Sequence, residues 1–129
     1  MYRWTALVTL ASLALYFFML FRVGLLRGKT GIKAPATTGH PDFERAYRIQ
    51  MNTLEGMPLF LPALWLAAVH VDDRFAAVIG LLWIAGRILY MRLYTIDPDK
   101  RGPGFGMQAT AFLILYAAAL IGVLRAFFV

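Results

Sequence analysis

The sequence contains no cysteine and carries little charge for its length. Of its 129 residues, 16% are charged and 60% are hydrophobic, whereas a soluble domain has about a quarter charged residues. The lack of cysteine excludes disulfide bonds, thiolate metal sites and a cysteine nucleophile. His40 and His70 have no ligand partners at suitable spacing, so we expect no metal site. This composition argues against a soluble domain and indicates a membrane protein.

The formal net charge of +6 does not indicate a nucleic-acid partner. The basic residues do not lie together on a solvated face but gather at the ends of hydrophobic runs. Basic residues that flank membrane spans are distributed in this way. We therefore expect membrane lipids, and no nucleic acid, around this protein.

Four hydrophobic segments predict four transmembrane helices, at about residues 4–26, 43–71, 75–96 and 105–128. Asp42 is the expected N-cap of the second helix, and the segments 28–42, 72–74 and 97–106 are expected to be loops. The first segment is expected to be an uncleaved span, because no small-residue cleavage site precedes Arg22. The helices use nearly the whole chain, so we expect one all-α domain over residues 1–129.

Basic residues near the loops predict the orientation of the chain in the membrane. The side with the first and third loops carries nine of them: Arg22, Arg27, Lys29, Lys33, Arg45, Arg48, Arg92, Lys100 and Arg101. The other side carries three: Arg3, Arg74 and Arg125. We expect both termini outside and these two loops in the cytoplasm.

The second helix carries polar residues on one face. Arg48, Asn52 and Glu55 are spaced by four and three, which places them on one side of a helix, while Gln50 lies off to the side. A charge at the bilayer centre costs about 2.5–3.5 kcal/mol on insertion scales. This face must therefore point to a neighbouring helix or a water-filled cavity.

The third helix carries a matching row of Arg87, Tyr90 and Tyr94, and Arg101 follows at the same side of the membrane. Two arginine-bearing faces with one glutamate favour a site for a small anionic ligand, since arginine binds a carboxylate through two hydrogen bonds. Simpler explanations stay open. Glu55 in an ion pair with Arg48 or Arg87 would lock the bundle, the tyrosines would be interface aromatics, and Arg101 would set the topology.

Two stretches of the chain together resemble the MAPEG family, the membrane-associated proteins in eicosanoid and glutathione metabolism. They read TTGHPDFERAYRIQMNTLEGMPLFLPALW and GRILYMRLYTIDPDKR. The resemblance is closest to the leukotriene C synthase and microsomal glutathione transferase members. It implies a left-handed four-helix bundle assembled as a homotrimer, with glutathione as co-substrate between subunits near the cytoplasmic side.

The resemblance also implies roles for individual residues. Arg101 matches the arginine that activates the thiol, and Arg87 matches an arginine with a more structural role. The matching glutathione-binding positions are Arg27, Arg48, Gln50, Asn52, Glu55, Tyr90 and Tyr94. A lipophilic second substrate would enter from the bilayer and be conjugated or, as a lipid hydroperoxide, reduced, in keeping with a role in detoxification.

The chain departs from the family pattern at two positions. Gly56 stands where the leukotriene synthase has a tyrosine that contacts glutathione, and Thr53 stands where the prostaglandin synthase has an aspartate, which argues against prostaglandin synthesis.

The alternatives to a glutathione transferase are a non-catalytic lipid-binding scaffold of the same fold and a small transporter or structural protein. The retained arginines and tyrosines favour the enzyme. The compact chain suggests a bacterial inner membrane.

Overall fold

The computed structural model describes all residues from 1 to 129 as a helical protein without strands. The elements are α1 (Arg3–Thr30), α2 (Pro41–His70), α3 (Asp73–Ile96), a short 3₁₀ helix (Pro98–Arg101) and α4 (Gly102–Ala126). This arrangement confirms the predicted all-α fold with four long helices.

The first loop is shorter than the sequence predicted. Helix α1 continues to Thr30 and is capped by Gly31 in the left-handed conformation at φ 74°, which glycine adopts without strain. Helix α2 begins at Pro41, and the Nδ1 of His40 accepts a hydrogen bond from the backbone N–H of Asp42. The prediction of Asp42 as N-cap is therefore wrong. Pro41 takes the first helical position, where its fixed φ suits a helix and its missing N–H is not needed.

The other two loops are also largely helical. Asp72 caps α3 by accepting from the backbone N–H of Phe75 at 2.8 Å, so α3 begins at Asp73 rather than at about residue 75. The segment predicted as a loop over 97–106 contains the 3₁₀ helix and the start of α4 at Gly102. Pro98 and Pro103 stand in the first turns of these two helices, where proline suits the start of a helix. Helix α3 ends at Ile96, directly before Asp97 and Pro98, as the sequence predicted.

Consecutive helices alternate in direction, and α2 and α3 form the centre of the bundle, each packing against the other and against both α1 and α4. The carboxylate of Asp73 accepts from the backbone N–H groups of Trp4 and Thr5, so α1 and α3 begin at the same end. At the opposite end, Arg45 near the start of α2 donates to the carbonyls of Thr95 and Ile96 at the end of α3.

Close contacts between helices hold the core together. The rings of Phe60 on α2 and Trp83 on α3 stack with centroids 3.9 Å apart and planes 4° apart. Helices α3 and α4 approach at two glycines. A Cβ at Gly86 would lie 2.7 Å from the backbone nitrogen of Gln108, and one at Gly104 would overlap the backbone of Tyr90. This close approach brings the start of α4 against the tyrosine-bearing end of α3.

Three helical stretches are long and apolar enough to cross a membrane by length and composition: α1, α3 and α4 with its preceding 3₁₀ helix. Helix α2 does not meet that criterion, because its first turns are polar and it contains Pro58 and Pro62. Its 30 residues nevertheless measure about 45 Å, more than the hydrocarbon thickness of a bilayer. Large apolar side chains such as Phe17 and Leu113 are exposed along the bundle, as a membrane protein requires at its lipid-facing surface.

Candidate intramembrane binding site

A polar cavity lies between α2, α3 and the start of α4, and we call it the donor cavity. It measures about 450 Å³. Its lining residues are Arg48, Asn52, Tyr90, Tyr94, Arg101 and Phe105. Arg48 and Asn52 lie one turn apart on α2, and the stacked rings of Tyr90 and Tyr94 lie one turn apart on α3 with centroids 5.4 Å apart. The structure thus brings five of the predicted site residues around one space.

Arg101 reaches the donor cavity from the last position of the 3₁₀ helix, directly before α4. Its guanidinium donates to the carbonyl of Pro98 at 2.8 Å, and the side chain is otherwise exposed. The first turn of a helix has free backbone N–H groups and a partial positive charge. The start of α4 therefore adds to the positive potential of Arg101, which the expected loop would not have done.

A second cavity of about 260 Å³ adjoins the first and shares Asn52 and Phe105 with it. We call it the junction cavity. Glu55 and Arg87 line it, together with Gly56, Trp83 and Gln108. A Cβ at Gly56 would meet only the ring of Trp83, at 3.7 Å. The position thus has room for a side chain and is open because it is glycine.

The charged residues do not form an ion pair between helices, which the bundle-locking interpretation of Glu55 requires. Arg48 and Glu55 form an ion pair of 2.9 Å, but both lie on α2, so this pair connects no two helices. Arg87 does not pair with Glu55. It donates instead to Asn52 Oδ1 at 2.9 Å and Thr53 Oγ1 at 2.7 Å, and these bonds connect α3 to α2. Arg87 on α3 therefore contacts α2 through two neutral side chains, Asn52 and Thr53. Glu55 takes no part in this contact and lines the junction cavity.

Two predicted site residues lie away from the cavities of the single chain. Gln50 is buried and donates to the hydroxyl of Tyr16 on α1 at 2.7 Å. Arg27 donates to the carbonyl of Ala36 at 2.9 Å and stacks its guanidinium over the ring of Phe43. Both side chains therefore belong to the α1–α2 side of the bundle, and the single chain does not bring them to the donor cavity.

An apolar groove continues from the junction cavity along α2 and α4. It measures about 370 Å³ and shares Leu59 and Phe112 with the junction cavity. Its other lining residues are Pro58, Pro62, Ala63, Leu66, Tyr116, Ala119, Leu120 and Val123. The three spaces thus form one path from a cationic end to an apolar end.

Sequence reasoning missed the residues that α4 contributes to this path. Phe105, Gln108, Ala109 and Phe112 line it at helical spacings of three, one and three. That spacing was visible in the sequence, and Phe105 was the first residue of the predicted fourth helix, but mainly apolar side chains at helical spacing do not by themselves indicate a site. Thr53, noted only as a departure from the family pattern, is the second partner of Arg87.

The arrangement suits a small anionic molecule with an apolar partner. Arginine and amide donors dominate one end, a single carboxylate stands beside them, and apolar side chains line the other end. No group of three or more His, Cys, Asp or Glu side chains is placed to hold a metal ion. Fold and site together define an all-α membrane bundle with a polar cavity inside it.

Comparisons with known proteins agree with this class. The sequence profile of the MAPEG family matches residues 5–121. Microsomal glutathione S-transferase 2 of Mus musculus is 38% identical over 122 residues, which cover 95% of this chain and 83% of the relative. Leukotriene C4 synthase of Cavia porcellus is 36% identical over 95% of this chain and 81% of its own. An uncharacterised protein of Synechocystis sp. is 44% identical over 94% of this chain and 88% of its own. The chain belongs to the MAPEG family.

Proposed function

We propose that this protein is a membrane-bound glutathione transferase that activates the glutathione thiol and joins it to lipophilic electrophiles. The observation that carries the proposal is the donor cavity, in which two arginines, an asparagine and two tyrosines surround one space beside a single glutamate. Relatives named for glutathione transfer and for leukotriene C4 synthesis support it.

Glutathione matches the charges of the donor cavity. It has two carboxylates and one ammonium group, so a site for it needs several cations and one acid. Arg48 and Arg101 supply fixed positive charge, because arginine stays protonated in proteins. Glu55 lies 2.9 Å from Arg48 and can either orient that arginine or accept the ammonium of the ligand. Tyr90, Tyr94 and Asn52 add neutral hydrogen-bonding groups.

Arg101 is the proposed activator of the thiol. A thiol is a weak nucleophile until it ionises, and a nearby cation or a helix N-terminus lowers its pKa. Arg101 offers both, since its guanidinium faces the donor cavity and α4 begins directly after it. A guanidinium does not accept a proton at neutral pH, so Arg101 stabilises the thiolate and the proton leaves to solvent.

We propose that the α1–α2 side, where Arg27 and Gln50 lie, packs beside the site of a neighbouring copy in a homotrimer. Within one chain both side chains lie on the α1–α2 side, away from the donor cavity. The two cavities are open at their outer side, where Arg48 of the donor cavity and Glu55 of the junction cavity are more than half exposed at 51% and 57%. A second copy that packs its α1–α2 side here would complete the cavity and bring the remaining two residues.

The apolar groove is the proposed binding place of the lipophilic second substrate, which enters from the bilayer. The groove meets the junction cavity at Leu59 and Phe112. In conjugation, the thiolate attacks an electrophilic carbon and a carbon–sulfur bond forms while the leaving group departs or a strained ring opens. With a lipid hydroperoxide, two glutathione molecules would give the alcohol, water and glutathione disulfide.

The same proposal places the protein in a bacterial inner membrane with the donor cavity toward the cytoplasm. The basic residues of the first and third loops lie at the end of the bundle where α2 begins and α3 ends. Arg48 and Arg101 line the donor cavity near that end. Basic residues accumulate on cytoplasmic loops, and glutathione would reach the cavity from that side.

Calorimetric titration of the detergent-solubilised protein with glutathione tests the proposal. We expect saturable binding below millimolar concentration and, with an electrophilic acceptor added, formation of the thioether. Glutamate at the same concentration serves as a control for unspecific anion binding. Absence of binding at millimolar glutathione would contradict the proposal. Binding of a fatty acid to the apolar groove without glutathione binding would instead support the non-catalytic lipid-binding scaffold.

A further inference from the structure

Arg87 is the one large charged side chain that is completely enclosed by the bundle. It is 1% exposed, and its two terminal nitrogens each donate to one residue of α2, at 2.9 Å to Asn52 and 2.7 Å to Thr53. The guanidinium also lies over the ring of Tyr90, 4.3 Å from its centroid. These contacts hold the group in one place and one plane between α2 and α3.

The contact to Asn52 determines which way its amide points. A guanidinium has only donors, so the Asn52 atom 2.9 Å away must be the carbonyl oxygen Oδ1. The amide nitrogen Nδ2 is thereby turned to the opposite side and makes no hydrogen bond within the chain. Asn52 lines both the donor cavity and the junction cavity. Its two N–H groups are thus available to a ligand, whereas its oxygen already accepts from Arg87.

Thr53 completes the same pattern. Its hydroxyl donates to the carbonyl of Ile49 at 2.9 Å, so it accepts from Arg87 through a lone pair. In both hydrogen bonds between Arg87 and α2, the guanidinium is therefore the donor and the side chain on α2 is the acceptor. Asn52 and Thr53 differ in one respect, because Asn52 faces the cavities whereas Thr53 is buried at 1% exposure.

We infer that Arg87 is a positioning residue that locks Asn52 as a hydrogen-bond donor toward a carboxylate or carbonyl oxygen of the bound ligand. The inference rests on the proposed function, in which that ligand is glutathione. It gives Arg87 a part in recognition, through Asn52, in addition to its contact between two helices. It also defines the ligand group that meets Nδ2 of Asn52 as a hydrogen-bond acceptor, which an ammonium group is not.

Two substitutions separate ligand recognition from stability: Asn52→Asp should weaken binding alone, and Thr53→Val should lower stability alone. Asn52→Asp keeps an oxygen for Arg87 and adds a charge to that contact, but it presents a carboxylate where Nδ2 donated. We expect an unchanged or higher midpoint of thermal unfolding without ligand. Glutathione binding should weaken about tenfold or more, because the Nδ2 donor is lost and the new carboxylate repels a carboxylate of the ligand. Thr53→Val, the matched control, removes the other acceptor. It should lower the unfolding midpoint and leave the dissociation constant within about twofold.

A double-mutant cycle tests whether Arg87 acts through Asn52. Arg87→Lys keeps the charge but lacks the planar fork, so it should weaken glutathione binding in the otherwise unchanged protein. It should have no further effect on affinity when Asn52 is already Ala. Equal loss in both backgrounds, or normal affinity of Asn52→Asp, would overturn the inference while glutathione binding by the unmodified protein stands. If the unmodified protein binds no glutathione, the proposed function fails and this inference fails with it.

Discussion

Arg48 and Glu55 face each other across two turns of α2, with their paired atoms 2.9 Å apart and about half of each side chain exposed at 51% and 57%. Exposed ion pairs contribute little to stability. Because both residues belong to one helix, the pair also adds nothing to the contact between helices. In the proposed function, its position beside the donor and junction cavities keeps a cation and an anion ready for a ligand that carries both charges.

Arg48→Ala should weaken glutathione binding about tenfold or more, since a hydrogen bond to a charged group contributes about 1.5–3 kcal/mol. The midpoint of thermal unfolding should change little. Calorimetry and circular dichroism in detergent measure the two quantities. Arg92→Ala is the control, because Arg92 is an exposed arginine on α3 that lines none of the three spaces. Equal weakening by both substitutions would show a general charge effect and contradict a specific role for Arg48.

Arg101→Ala should leave glutathione bound but abolish thiolate formation, because it removes the cation nearest the start of α4. The thiolate is measured by its ultraviolet absorbance on addition of glutathione to the purified protein. Lys100→Ala is the matched control, since Lys100 is the preceding cation and does not line the donor cavity. Normal thiolate absorbance in Arg101→Ala would show that another group activates the thiol.

The proposed trimer is tested by complementation between two chains that are impaired at different residues. Arg48→Ala removes a residue of the donor cavity, and Arg27→Ala removes a residue of the α1–α2 side. If one copy completes the site of the next, mixed trimers contain an interface in which both residues are intact. Coexpression of the two chains should therefore give more transferase activity, at low glutathione concentration, than either chain gives alone. No recovery in mixed trimers isolated with two different tags would contradict a site shared between subunits.

Gly56→Leu should narrow the junction cavity without displacing the backbone, because a Cβ there meets only Trp83 at 3.7 Å. We expect kcat/KM for a bulky lipophilic electrophile to fall about tenfold, while a small electrophile is conjugated within about threefold of the original rate. These values correspond to about 1.4 and 0.7 kcal/mol in transition-state energy. Gly56→Ala should change neither rate. Equal loss for both electrophiles would show that Gly56 does not control access.

Gly104→Ala should destabilise the bundle, because the new Cβ would overlap the backbone of Tyr90 where α3 and α4 are closest. Overpacking of this kind costs about 1–3 kcal/mol. Gly106→Ala, two residues further along α4, meets nothing within 4 Å and serves as the control. It should be neutral or slightly stabilising, as alanine favours a helix over glycine. A lower unfolding midpoint in Gly104→Ala alone is the expected result.

Much of the fold was predictable because hydrophobic run lengths are a property of the sequence alone. Long apolar segments favour helices in a bilayer, because a helix satisfies its backbone hydrogen bonds internally. The spacing of Arg48, Asn52 and Glu55 placed them on one face of α2. The helix ends were less accurate. Pro41, Pro98 and Pro103 were taken as loop residues, whereas they occupy the first turns of helices, and local sequence does not distinguish these two uses of proline.

The sequence by itself determined the helical membrane fold, the polar faces of α2 and α3, and the resemblance to the MAPEG family. Tertiary structure alone decided the partners of those polar residues. It paired Arg87 with Asn52 and Thr53 instead of Glu55, turned Gln50 toward Tyr16, and added Phe105 and Gln108 of α4 to the cavity walls. The physical reason is that periodicity defines which face of a helix a residue occupies. Which helix meets that face depends on packing, here on the close approach of α3 and α4 at Gly86 and Gly104.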